Sequence, residues 1–220
     1  MGLVEVAAAK TLASSAVFLF ISVLLIASAK RTATCIALFA VQCAIITAQI
    51  VAMAFLRHSG EAVAVAAMVL LVKVVAIPYA LMRVSTRLKV SRKVSAATTP
   101  AQSAFIAAAL ILLAFAVVQP YARTFALDSE MLAAATAMVL TGGFLMVSRR
   151  KALMQVVGLL VLENGIFLLA MTTTFGMPFI IEMGIFFDLL IWVLLMGVFI
   201  FRIRETFAHV DVSRLRRLRG

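Results

Sequence analysis

The sequence predicts an all-α, polytopic membrane protein: seven transmembrane helices packed as one bundle, with the N-terminus outside and the C-terminus in the cytoplasm. Three observations carry that prediction. The 220 residues are 65% hydrophobic with a mean hydropathy of +1.17, against about 45–50% apolar for a soluble domain. Apolar runs long enough to cross a hydrocarbon core recur from end to end, and none shows the period-2 alternation of a membrane barrel. The basic residues fall at every second connection.

The spans read in order as 6–29, 33–56, 62–82, 101–119, 131–147, 152–172 and 178–201, followed by a basic tail, 202–220. At 1.5 Å per residue each is long enough to cross about 30 Å of hydrocarbon. The first lacks a clear cleavage site and is long for the apolar part of a signal peptide, so it is expected to be a retained helix. The second holds both cysteines, Cys35 and Cys43, which read as small buried apolar residues. The third carries Lys73 and, one turn on, Pro78, expected to kink the helix and free the carbonyl of Val74. Thr99–Pro100 supplies a start for the fourth. Gly142 and Gly143 in the fifth allow close backbone approach. The gaps leave no room for a soluble domain, so residues 1–220 read as a single integral membrane unit.

Charge sets the orientation. Connections after the first, third and fifth spans hold Lys30 and Arg31; Arg83, Arg87, Lys89, Arg92 and Lys93; and Arg149, Arg150 and Lys151. With six arginines in the tail, 16 of the 20 basic residues lie on one side. The positive-inside rule makes that side cytoplasmic, in a bacterial inner membrane. The net charge of +11 is thus a membrane-boundary feature facing anionic lipid, and no nucleic-acid partner is expected. His58 and His209 both fall outside the spans and neither cysteine has a CxxC partner. Neither a bis-histidine haem nor a four-ligand metal set is visible, and no metal or cofactor of the chain's own is expected.

Once charges near the span ends, such as Lys10, are set aside, four ionisable residues remain within spans: Lys73, Glu163, Glu182 and Asp188. Each opposes insertion by about 2.5–3.5 kcal/mol, together about 10 kcal/mol before any pairing. Such groups usually face a bundle interior and serve an ion or proton pathway. Lys73, Glu163 and Asp188 each fall near the middle of their spans, so three helices present an ionisable group at one depth. Glu182 precedes Asp188 by six residues, about 9 Å along the axis and roughly 120° around it. A midplane row of acids and a base suits lateral proton transfer. A buried ion pair that only fastens helices is the alternative, but three acids against one lysine leave an excess that one pair cannot satisfy. Asn164 and Gln155 are expected to bond across helices or anchor water beside Glu163.

These residues sit in recognisable segments: VKVVAIPYALMR at 72–83, AFAVVQP at 114–120, QVVGLLVLENG at 155–165, IEMGIFFD at 181–188 and VDVSRLRRLRG at 210–220. In them the chain resembles membrane component E of hydrogenase 4 and formate hydrogenlyase-type complexes. That family is a larger relative of the K subunit of respiratory complex I and of the small C-type component of multisubunit cation/proton antiporters. The resemblance implies a non-catalytic membrane-arm subunit beside antiporter-like subunits, in a complex whose peripheral arm carries [NiFe] and iron–sulfur centres. It also sets Glu163 where the K subunit has its first intramembrane glutamate, and Asp188, one methylene shorter, where the second would stand. A structural scaffold and a free-standing cation/proton antiporter are the competing readings. The sequence shows neither an internal repeat nor a clearly broken pair of helices to favour the antiporter.

Overall fold

The computed structural model describes residues 3–56, 67, 70–87, 94, 96–125 and 127–173. The seventh span, the tail, Glu182 and Asp188 lie outside the described residues, as do His58 and most of the start of the third span. The described elements are α1 (Leu3–Ser28), α2 (Thr32–Leu56), a π-helical segment (Leu70–Ala76) running into α3 (Ile77–Arg87), α4 (Pro100–Phe125), α5 (Ser129–Ser148) and α6 (Ala152–Thr173). Among the described residues, four stretches are long and apolar enough to cross a membrane: Thr32–Ala52, Pro100–Phe125, Ser129–Ser148 and Ala152–Thr173. A shorter apolar stretch, Ser15–Ser28, lies in α1. The chain is a helical membrane protein.

Local chemistry explains the helix starts. The Thr99 hydroxyl accepts from the Gln102 N–H at 3.3 Å, while Gln102 Oε1 accepts from the Thr99 N–H at 2.9 Å. With Pro100 at the first helical position, this capping box satisfies donors that α4 would leave open. Asp128 does the same for α5, accepting from the N–H groups of Glu130 and Met131 at 3.1 Å each.

Two helices differ from the sequence reading. The sequence predicts that the fourth stops at 119, yet α4 continues through Pro120 to Phe125. In an apolar surrounding the backbone after a proline gains most by remaining helical, so the missing N–H is tolerated. The Thr124 hydroxyl adds a bond back to the Pro120 carbonyl at 2.9 Å. Nor does Pro78 sit in the middle of a regular helix. It occupies the second position of α3, directly after the π-helical turns. There a proline needs no N–H acceptor of its own, and the widened turns ahead of it relieve the ring's clash with the preceding backbone.

Packing is closest between α5 and α6. A Cβ built on Gly142 would lie 2.5 Å from the Leu162 nitrogen, one on Gly158 2.9 Å from that of Met146, and one on Gly165 2.7 Å from that of Val139. Those pairings run in opposite chain directions, so the helices are antiparallel with backbones almost touching. Gly143 faces only a side-chain methyl, Leu162 Cδ1, at 3.9 Å.

At one end, three connections predicted to share a side come together. The Val94 N–H donates to the Lys30 carbonyl at 2.9 Å, and the Ala97 N–H to the Ser148 carbonyl at 2.9 Å. Ala96 forms an antiparallel bridge with Arg149. The Arg149 guanidinium, buried at the end of α5, donates to the Ala27 carbonyl at the end of α1. Burial pulls that guanidinium below its ordinary value, and the neighbouring Cys35 acts in the opposite sense.

The core divides by height. One apolar cluster, with Ile26, Ile36, Phe39, Leu145 and Val157 among its members, lies towards these connections. A second, including Leu19, Ile46, Ile50, Met138 and Leu168, lies towards the other end. Buried polar side chains occupy the level between them.

Candidate functional site

The polar level is built from α1, α2, the π-helical segment and α6. The glycine contacts with α5 fix both the height and the rotation of α6, and Glu163 and Asn164 lie between Gly158 and Gly165 on that helix. Lys73 belongs to the π-helical turns, whose extra residue per turn changes the rotation about the axis, and its side chain is buried in a segment otherwise rich in exposed residues.

Lys73 Nζ lies 2.9 Å from Glu163 Oε1 and donates to Asn164 Oδ1 at 3.2 Å. The three residues are 4%, 8% and 1% exposed. On the far side of the amide, Asn164 Nδ2 donates to Cys43 Sγ at 3.2 Å. The ammonium also stands 5.4 Å from the centre of the Phe167 ring, within range of a cation–π attraction. One α6 side chain therefore supplies the countercharge, its neighbour holds the ammonium with a carbonyl oxygen, and an aromatic face closes the pocket. No three His, Cys, Asp or Glu side chains converge on a common point among the described residues.

The polar level extends further. Gln42, next to Cys43 on α2, is fully buried and donates from Nε2 to Ser22 Oγ on α1 at 3.0 Å. One heptad along, Gln49 donates to Ser15 Oγ at 2.6 Å. The polar groups thus cross the bundle from α1 to the π-helical segment, passing through α2 and α6.

Of the residues singled out from sequence, the structure brings Lys73, Glu163 and Asn164 into one cluster, with Pro78 one turn from the lysine. Gln155 lies elsewhere. It donates to the Arg149 carbonyl at 2.9 Å, eight residues and so about 12 Å below Glu163 along α6. Asp188 and Glu182 lie outside the described residues. Sequence reasoning passed over Cys43, Phe167 and the Ser–Gln pairs. Hydropathy treats the first two as filler, but the repeated spacing of seven, Ser15 to Ser22 and Gln42 to Gln49, was a readable signal.

An uncharacterized protein of Mycobacterium tuberculosis, Rv0085, is 35% identical to the chain over 159 residues, covering 71% of this chain and 72% of its own. The chain belongs to the same family as Rv0085. Family membership is thus shared across most of both sequences, on a relative whose name carries no activity. Hydrogenase-4 component E from Escherichia coli K12 and from Shigella flexneri is 34% identical over 122 residues, 55% of this chain. The chain spans only 56% of component E's length. The similarity is to that component over about half of each chain. No family profile matches the chain. No solved structure matches it either.

Proposed function

We propose that the chain is a non-catalytic membrane subunit of a hydrogenase-4-type, complex I-like redox complex, and that its buried ion pair carries and times protons. The observation that carries this reading is the Lys73–Glu163 pair, 2.9 Å apart and braced by Asn164. Electron transfer belongs to other subunits. The partners are antiporter-like membrane subunits and a peripheral [NiFe] and iron–sulfur arm, in a bacterial inner membrane.

The physics of the pair suits the task. At 2.9 Å a proton passes from ammonium to carboxylate in a single step. The product is an amine beside a carboxylic acid, so the pair is neutral overall before and after. The exchange needs no bare charge in the membrane, the state that costs most there. In a medium of low dielectric a charge arriving nearby shifts that balance strongly, since Coulomb energy scales inversely with dielectric constant. A change in an adjacent subunit thus moves the proton onto Glu163, and Asp188 and Glu182 on the seventh span are the proposed onward acceptors. The similarity to hydrogenase-4 component E supports placing the pair in a redox complex.

The test is Glu163→Gln in the assembled complex. Protons moved per electron pair should fall at least about tenfold, a 1.4 kcal/mol effect or more on the transfer step, while the complex still assembles. Coupling that stays at the wild-type ratio sinks the proposal. Co-purification in mild detergent tests the parent: iron–sulfur subunits should accompany the chain, whereas a lone protein driving ion flux in vesicles would make it an antiporter.

A further inference from the structure

We propose that the Ser–Gln pairs between α1 and α2 form a water-holding entry path, feeding the midplane ion pair from the end of the bundle where α2 reaches Leu56. The proposal rests on the proton-carrying role of Lys73 and Glu163 and adds how protons arrive.

Two rungs make the ladder. Gln42 meets Ser22 and Gln49 meets Ser15, each with the amide nitrogen on the serine oxygen, at 3.0 and 2.6 Å. Both glutamines are more than nine-tenths buried, at 0% and 5% exposed. Both nevertheless leave Oε1 without a hydrogen-bond partner among the described residues. Turning either amide over exchanges which end meets its serine, so one polar end stays open in any assignment. Leaving a buried acceptor open costs about 1–3 kcal/mol. Helix adhesion alone does not require that expense twice, because a serine bonded to a smaller partner would fasten the helices without it. A buried polar site that opens on to several acceptors is where internal water binds, typically with about three hydrogen bonds per molecule.

Position gives the ladder a direction. The two glutamines stand seven residues apart on one face of α2, about 10.5 Å along the axis. About three waters in hydrogen-bonded succession span that distance. The inner rung stands one residue along α2 from the cluster around the pair: Gln42 precedes Cys43, whose sulfur accepts from Asn164, which in turn holds Lys73. Below Gln42, Phe39 and Ile36 are fully buried in the apolar cluster and close the way towards the basic connections. In the proposed path the pair is therefore supplied from the Gln49 end, past Leu19 and Ile46, which are buried between the rungs in the second apolar cluster.

The decisive measurement is a cryo-electron microscopy map of the native complex at a resolution that shows ordered water. Water density is expected within hydrogen-bond distance of Oε1 of both Gln42 and Gln49. Protein side chains filling both positions, from another segment or another polypeptide, would overturn the path. A second arm uses the double variant Gln42→Met and Gln49→Met, which keeps volume and removes the acceptors. Protons moved per electron pair should drop several-fold while the complex assembles to its usual level. If Glu163→Gln abolishes coupling while this double variant pumps normally, the path is wrong and the role of the ion pair stands. If both variants pump normally, the ion-pair reading itself fails.

Discussion

At the scale of single residues, the molecule turns on what happens when a buried charge loses its partner. Lys73 and Glu163 stabilise the bundle only as a pair. Removing one leaves the other buried without its countercharge, at a cost of about 3–5 kcal/mol. Lys73→Met should therefore lower thermal stability in detergent steeply, and more than most exposed substitutions on α4. Lys73→Met combined with Glu163→Met should regain most of that loss, since a matched apolar pair replaces a matched polar one. The same double variant separates transport from scaffolding. A purely structural pair predicts that coupling returns together with stability. The proton-carrying reading predicts a well-assembled complex whose proton output stays low. The specific pairing could not be derived from sequence, although four ionisable residues within predicted spans were plain in it. Depth along each span set Lys73 and Glu163 level, but rotation about the helix axis decides which groups touch. That rotation comes from the π-helical turns, which no propensity pattern marks.

At the scale of elements, α5 and α6 behave as one rigid pair because glycine lets their backbones meet. An alanine at Gly165 would press its Cβ against Val139 and the Ala135 carbonyl, both backbone neighbours that cannot swing aside. Gly165→Ala should therefore cost about 1–3 kcal/mol of stability by overpacking. It should also weaken coupling, because Glu163 is carried on the helix that must shift. Gly143→Ala meets only the end of a leucine side chain and should be neutral within about 0.5 kcal/mol. Thermal melting of the two variants side by side checks the contrast. The sequence showed that Gly142–Gly143 favours close approach, yet not which of the two makes the contact, nor that Gly158 and Gly165 answer from α6. Helix starts were more legible, since Thr99–Pro100 carries its chemistry locally. Ends were less so: Pro120 signals a stop in water, and surroundings too apolar to receive a broken backbone override it.

At the scale of the whole molecule, the alternation of charge and the meeting of connections bear on the same question. Hydropathy located the four described stretches long and apolar enough to cross a membrane because lipid demands that every crossing satisfy its own backbone, which leaves few alternatives to helices. Neighbour relations were not legible, because apolar faces of similar composition pair with one another equally well in lipid. The structure supplies the missing link at one end, where Lys30, Val94, Ala96–Ala97 and Ser148–Arg149 join through backbone bonds. These connections therefore share a side whichever way the bundle is inserted, and their basic residues predict that the side is cytoplasmic. Cysteine labelling in oriented vesicles puts this to the test, since native Cys35 and Cys43 are buried and form no disulfide. Exposed Arg31→Cys and Arg150→Cys should react with a membrane-impermeant thiol reagent only in inside-out vesicles. Glu130→Cys, exposed in the first turn of α5 at the far end of that helix, should react only in right-side-out vesicles. The reverse pattern would invert the protein and with it the direction of the proposed water path. Labelling of Arg31→Cys and Arg150→Cys from opposite faces would contradict the shared end itself. With the expected pattern, the Gln49 rung lies towards the outside and the cluster around Phe39 towards the cytoplasm, so the proposed path would deliver protons to Lys73 and Glu163 from outside.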